Sequence, residues 1–151
     1  MIGEREGYLG SAFSRLVLES SGEFSIELLR ERSGNIVLIN RSVPVHLKYS
    51  TSRLSPWQFT YTSEHLSEVR SLIADFGVAF LACVCGRDGI ACIDARLVLA
   101  PMSGEELTTA AMRISRRKGH QYRVSFMKNA SMLVETSAFP KDIFFQANLN
   151  N

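Results

Sequence analysis

The sequence lacks any hydrophobic run long enough to cross a membrane. The longest charge-free stretch in its apolar centre, residues 76–86, is eleven residues long, whereas a bilayer-spanning helix needs about 20 apolar residues. The amino terminus carries charges of both signs and no apolar block follows it, so we expect no secretory signal. These absences predict a soluble, cytoplasmic protein with no membrane partner.

Cysteine is also scarce. Cys83, Cys85 and Cys92 are the only three, and their spacing lacks the Cys-x2-Cys pairs of a zinc knuckle. We expect three buried free thiols, because unpaired cysteine is among the most buried residue types. A metal site that recruits a distant histidine is the alternative. We therefore predict no disulfide framework, no bound metal and no other cofactor.

The motifs of the common catalytic and nucleotide-binding sites are absent. The chain contains no Gly-x-Gly-x-x-Gly, no Gly-x4-Gly-Lys-Ser/Thr, no His-Glu-x-x-His and no Gly-x-Ser-x-Gly. The three histidines fall in three different predicted elements, so their spacing indicates no ligand pair. We predict no catalytic residues from motifs.

The composition that remains is typical of one globular domain. Of 151 residues, 46% are hydrophobic and 21% are charged, which is enough apolar surface to offset the entropy of ordering and excludes a disordered chain. Neither an internal repeat nor a linker is visible. We interpret residues 1–151 as a single domain, with a core over about residues 8–94 and a C-terminal extension over 95–151.

Positive charge is concentrated in one segment. Between Arg113 and Arg123 the chain carries five positive charges and no acid, and subtracting these five from the net charge of +2 leaves −3 for the rest. A basic block on an otherwise acidic domain suggests an anionic partner. A solvated turn that happens to be basic is the alternative interpretation.

Hydrophobic spacing predicts the order of helices and strands. A helix over Leu9 to Val17 precedes strands near 24–30, 36–39 and 43–47, with a turn at 33–35. An ordered loop (49–61), a helix (62–76) and an unbroken apolar strand (78–85) follow, and a hairpin leads into residues 90–93. A short helix beginning at 103–106, a hairpin of 122–126 with 132–135 and a Phe-rich tail complete the chain. The predicted fold class is α/β (α+β), with a mixed, mostly antiparallel sheet flanked by helices.

This αβββαβ order over residues 8–94 resembles the common core of the restriction-endonuclease-like, or PD-(D/E)xK, nuclease superfamily. The run KYSTSRLSPW at 48–57, with VCGRDG at 84–89 and Phe-Pro at 139–140, resembles a family of uncharacterised bacterial proteins. The first resemblance implies a nuclease-like fold, although one fold hosts many functions. The second implies no particular activity.

The nuclease resemblance also implies a metal-binding pattern, and the chain departs from it. In that superfamily an Asp ends the second strand and Glu-x-Lys lies on the third, because Mg²⁺ requires carboxylate ligands. The corresponding positions here are Asn40, His46 and Lys48, so the lysine is present and the carboxylates are missing. Glu27 on the first strand supplies one carboxylate at most. The pattern therefore predicts a degenerate active site.

A cluster of aromatic residues marks the loop before the second helix. Arg53, Trp57, Phe59 and Tyr61 combine a guanidinium with aromatic faces, a combination that stacks on unpaired bases. Alternatively, Trp57 anchors the loop on the sheet, or these residues form a protein interface.

These observations lead to one principal hypothesis and two alternatives. The principal one is a non-catalytic, degenerate nuclease-like domain that contacts DNA or RNA. Its candidate residues are the phosphate-neutralising Lys48, Arg53, Arg113, Arg116, Arg117, Lys118 and Arg123, with Trp57 stacking on a base. The first alternative is a protein-interaction or structural module, such as a homodimer that uses the aromatic loop or the Phe-rich tail. The second is an active metal-dependent nuclease that uses Glu27 and a further carboxylate.

Overall fold

The computed structural model describes residues 1–30, 35–99, 108–126 and 130–149, which form helices and strands in mixed order. The helices are α1 (Glu4–Glu19), α2 (Ser63–Phe76), α3 (Ala95–Leu99) and α4 (Ala138–Leu149). The strands are β1 (Ile26–Leu28), β2 (Asn35–Ile39), β3 (Val43–Ser50), β4 (Trp57–Tyr61), β5 (Phe80–Cys85), β6 (Gly89–Asp94), β7 (Ala110–Ser115), β8 (Tyr122–Phe126) and β9 (Ser131–Val134). The predicted α+β class with mostly antiparallel strands is confirmed.

The strands belong to two sheets. The first has the order β1-β2-β3-β5-β6, and its only parallel pair is β3 with β5. The second has the order β4-β7-β8-β9 and is antiparallel throughout. The chain leaves β3, adds β4 to the second sheet, and returns through α2 to place β5 beside β3. The seam between the sheets therefore lies where β3, β4 and α2 meet.

The central position of β5 follows from its composition. All six of its residues are buried, as expected for a strand that is covered on both faces. Helix α1 packs against β3 and β5, α4 packs against β6, and α2 contacts β3 and β4. One hydrophobic core joins buried residues from Leu9 to Ala147. No helix in the described parts of the chain is long and apolar enough to span a bilayer.

Local sequence accounts for the ends of α2. The Thr62 side chain caps its first turn, and α2 agrees with the predicted helix over 62–76. Gly77 ends the helix at φ +81°, a left-handed conformation that favours glycine, and its N–H donates to the Ile73 carbonyl at 2.8 Å. Local sequence thus determines where α2 begins and where it ends.

Several predictions differ from the structure. The strands form two sheets instead of one, because β4 occupies part of the predicted loop 49–61 and pairs with β7. The tail forms α4, with Phe139 buried and Phe145 exposed. In α1, Phe13 and Val17 stay partly exposed although they lie on the predicted apolar stripe. The predicted turn at 33–35 lies mostly outside the described residues, and the predicted helix at 103–106 lies entirely outside them.

Candidate functional site

A cleft of about 360 Å³ opens at the seam between the two sheets. It is lined by His46 to Tyr49 of β3, Gln58 to Thr60 of β4, His65 of α2 and Asn35 of β2. Three side chains of basic residues, those of His46, Lys48 and His65, meet there. No Asp or Glu is among its lining residues in the described chain.

His46 lies at the inner end of the cleft and is 2% exposed, the one polar side chain in the described core. Its ring centroid lies 5.7 Å from that of Tyr61 and 5.6 Å from that of His65. Neither ring nitrogen has a hydrogen-bond partner among the described residues. Burial, followed by the charges of Lys48 and His65, lowers the pKa of His46 to about 3. The imidazole is therefore neutral, with one nitrogen as donor and one as acceptor.

Lys48 follows two residues later on the same face of β3, because side chains alternate along a strand. Its Nζ lies 5.0 Å from the Tyr61 ring centroid, so the ring face stabilises the ammonium. Burial lowers the pKa of Lys48, and Cys83 opposes this shift. None of the ion pairs between described residues includes Lys48. The cleft thus contains a positive charge that forms no ion pair with a described carboxylate.

His65 is held in place by the capping box of α2. Its backbone N–H donates to Thr62 Oγ1 at 3.1 Å, and the Thr62 N–H donates to His65 Nδ1 at 3.2 Å. Because Nδ1 accepts a hydrogen bond, the proton of the neutral ring is assigned to Nε2. Burial and Lys48 lower the pKa of His65, while Glu68 and Glu64 oppose them. His65 consequently offers a second N–H donor.

Tyr61 and Cys83 form the buried base beneath Lys48. The Tyr61 hydroxyl and Cys83 Sγ lie 3.2 Å apart. Burial raises the pKa of Tyr61 well above its ordinary value and that of Cys83 to about 12. A thiol with so high a pKa is a poor nucleophile. All three cysteines are buried and free, as predicted.

The basic block begins beside this cleft. Arg113 on β7 lies directly opposite Gln58, which lines the cleft, and their exposed side chains share one face of the second sheet. Arg123 on β8 is a diagonal neighbour of Arg113 on that face. It lines a separate depression together with Arg117. We call Lys48, Arg113, Arg117 and Arg123 the basic band.

The outer face of the second sheet carries no acid in its described strands. Besides the arginines, its side chains are Gln58, Thr60, Ala111, Ser115, Ser125, Ser131 and Leu133. Lys118 is exposed on the turn between β7 and β8. No ion pair between described residues includes Lys118 or the three arginines of the basic band.

Arg116 has a different environment from the rest of the block. Its guanidinium donates to both carboxylate oxygens of Asp88, at 2.7 Å each, and the Tyr122 hydroxyl donates to Asp88 at 2.8 Å. The hydrogen bond from Arg116 is the first cause of the lowered pKa of Asp88. Arg116 therefore joins the β7–β8 turn to the β5–β6 hairpin, and a phosphate would have to displace Asp88 to reach it.

Trp57 is buried to 2% exposure, so its ring face is closed to a nucleic-acid base in this structure. Its Nε1–H donates to the Ser52 carbonyl at 2.9 Å, and its ring meets that of Tyr122 edge to face at 6.4 Å. Phe59 and Tyr61 are buried as well. This matches the alternative in which Trp57 anchors the loop. Arg53 in the same loop is exposed.

Asn40, which corresponds to one nuclease carboxylate, and Glu27, the candidate carboxylate on the first strand, do not line the cleft. Asn40 accepts a hydrogen bond from the Ser25 N–H at 2.8 Å. Glu27 pairs with Arg41 at 3.0 Å on β1, which is separated from β3 by β2. In the described residues, no three His, Cys, Asp or Glu side chains are arranged to hold a metal ion.

Sequence reasoning missed two features of the site. It gave no indication that His46 is buried, because α2 and β4 cover this residue and no local pattern indicates that cover. It also did not single out Asp88, whose partners are 28 and 34 residues away. Comparison with protein-family models, with curated proteins and with solved structures found no match for this chain.

Proposed function

We propose that this domain binds a nucleic acid through the basic band and does not cut it. The observation that carries the proposal is the unpaired positive charge that runs from the cleft across the outer face of the second sheet. Lys48 lies on one side of Gln58 and Arg113 on the other. A nucleic acid binds such a surface because its phosphates then release the counterions condensed on them.

Two further observations support a degenerate nuclease-like domain. When β4 is set aside as a strand of the second sheet, the elements from α1 to β5 keep the αβββαβ order. Lys48 occupies the position of the catalytic lysine in the resemblance. Asn40 and His46 occupy the positions of its carboxylates, and Glu27 is paired with Arg41. The same fold can present a phosphate-binding surface without holding a catalytic metal.

The test is fluorescence anisotropy with labelled single- and double-stranded DNA and RNA, at 50 and 200 mM salt in the presence of Mn²⁺. Each bound phosphate contributes about 0.9 to the slope of log affinity against log salt. The variant Arg113→Gln/Arg123→Gln should therefore reduce that slope by about 2. Arg96→Gln is the matched control, because Arg96 pairs with Asp94 at 2.8 Å, away from the basic band.

Binding that is weaker and less salt-dependent in the double variant, and unchanged in the control, supports the proposal. Absence of binding at 50 mM salt, or binding that salt does not weaken, overturns it. The samples are then run on a gel: intact probes agree with a non-cutting domain, whereas cut probes would support the active-nuclease alternative.

A second candidate function, association with another copy of the chain, is favoured by one observation. An apolar groove of about 530 Å³ lies between α1 and β1, and Phe13, Val17, Ile26 and Leu28 stay partly or largely exposed in it. Because β1 is an edge strand, a second β1 could pair with it about a twofold axis. Sedimentation of wild-type protein and Leu28→Glu tests this: only a dimer that the substitution dissociates supports it.

A further inference from the structure

The cleft contains a buried polar group that no described residue satisfies. His46 is 2% exposed, lines the cleft and has two ring nitrogens without a partner among the described residues. Buried polar groups in proteins are nearly always hydrogen-bonded, either to protein or to a bound molecule. The N–H of His46 is thus available to a ligand that enters the cleft.

The other groups at the cleft are also donors. Lys48 contributes an ammonium, and His65 contributes Nε2–H because its Nδ1 is used by the capping box. The cleft adjoins the start of the fourteen-residue helix α2, whose first turn includes His65. The N-terminus of a helix carries a partial positive charge. The ligand that fits these donors is an anion with several oxygen atoms.

We propose that the cleft binds a phosphate monoester, such as the terminal phosphate of a nucleic-acid strand. Its three outer oxygens match the three donors, from Lys48, His46 and His65. A monoester carries between one and two negative charges at neutral pH, which the unpaired ammonium of Lys48 balances in part. This inference rests on the proposed function for the source of the phosphate.

The size and position of the cleft agree with a phosphate that is attached to a larger molecule. A volume of about 360 Å³ lies in the range of small-molecule sites and exceeds what a bare ion requires. Gln58 lines the cleft and lies opposite Arg113 on the outer face of the second sheet. A strand that ends in the cleft would continue along the basic band.

The first experiment compares oligonucleotides of identical sequence that end in a 5′-phosphate, a 3′-phosphate or hydroxyl groups only. One of the two phosphorylated forms should bind at least about tenfold more tightly than the hydroxyl form, because it gains charge-assisted hydrogen bonds. In Lys48→Met and His65→Gln this preference should fall to within about twofold. Glutamine suits the capping box at position 65, so the second variant retains the cap of α2.

The second experiment titrates inorganic phosphate and follows the ring signals of His46 and His65 by NMR, with acetate at equal ionic strength as control. Phosphate should shift these signals and acetate should not. Equal affinity for all three oligonucleotides, together with unshifted histidine signals, refutes the phosphate site and leaves the proposed function intact. Failure to bind any oligonucleotide, with shifts in phosphate, refutes the proposed function and supports a site for a free phosphate compound.

Discussion

His46 should make the folding stability of the domain fall as the pH is lowered below 6.5. Burial holds its folded-state pKa at about 3, against 6.5 in the unfolded chain. Between these values the unfolded state takes up a proton that the folded state does not, so stability is lost as pH falls. Each pH unit in this interval costs about 1.36 kcal/mol. From pH 8 to pH 5, His46 alone should therefore remove about 2 kcal/mol from the free energy of unfolding.

The substitution His46→Leu removes the imidazole that takes up this proton and keeps a similar side-chain volume. At pH 8 the free energy of unfolding of the variant should equal that of the wild type or exceed it by up to about 1 kcal/mol, because leucine brings no unpaired polar atoms into the core. At pH 5 its stability relative to the wild type should be higher than at pH 8 by about 2 kcal/mol. Urea unfolding at pH 5, 6, 7 and 8, in buffers without phosphate, measures both differences.

His120 provides the matched control, since it is exposed on the turn between β7 and β8. Replacing this exposed side chain removes no contact from the core, so the stability curve of His120→Leu should run parallel to that of the wild type. The reasoning is refuted if the curves of His46→Leu and the wild type are also parallel. A loss of several kcal/mol at pH 8 in His46→Leu would instead mean that the imidazole has a partner in the folded protein.

Two further substitutions test the packing around the β5–β6 hairpin, both by urea unfolding. Gly86→Ala should destabilise the domain by more than about 2 kcal/mol, because Gly86 has φ +54° and a Cβ there would collide with the Ser52 carbonyl oxygen. Gly77→Ala, at φ +81° with open space around it, should cost only about 1 kcal/mol, and equal losses would contradict the steric argument. Tyr122→Phe should cost about 1–2 kcal/mol by removing the hydrogen bond to Asp88. A neutral result would show that this bond contributes little to stability.

Sequence patterns predicted those elements whose burial depends on residues close in the chain. The apolar run 78–85 contains the buried strand β5, and the predicted helix over 62–76 agrees with α2, which is bounded by Thr62 and Gly77. These features could be predicted because a strand covered on both faces must be apolar throughout, and because helix caps are satisfied by neighbours.

Other elements depend on partners that are distant in sequence. The segment 57–61 alternates as Trp-Gln-Phe-Thr-Tyr, which is typical of a strand, but its partner β7 begins about fifty residues later. The Phe-rich tail became α4, whose packing partners β6 and α1 precede it. The position of the basic block depended in the same way on the second sheet, which alone brings Arg113 beside Gln58.

By itself, the sequence determined the mixed α+β class, the central strand, the free buried thiols and the local excess of positive charge. The tertiary structure alone decided which charges are paired among the described residues: Arg116 is neutralised by Asp88, whereas Lys48 lies over the Tyr61 ring, near His46, His65 and Cys83, and forms no ion pair there. It also decided that His46 is buried without a hydrogen-bond partner among the described residues. Periodicity specifies which residues share a face, but the groups that cover this face come from other parts of the chain, and electrostatic interactions and desolvation depend on those groups.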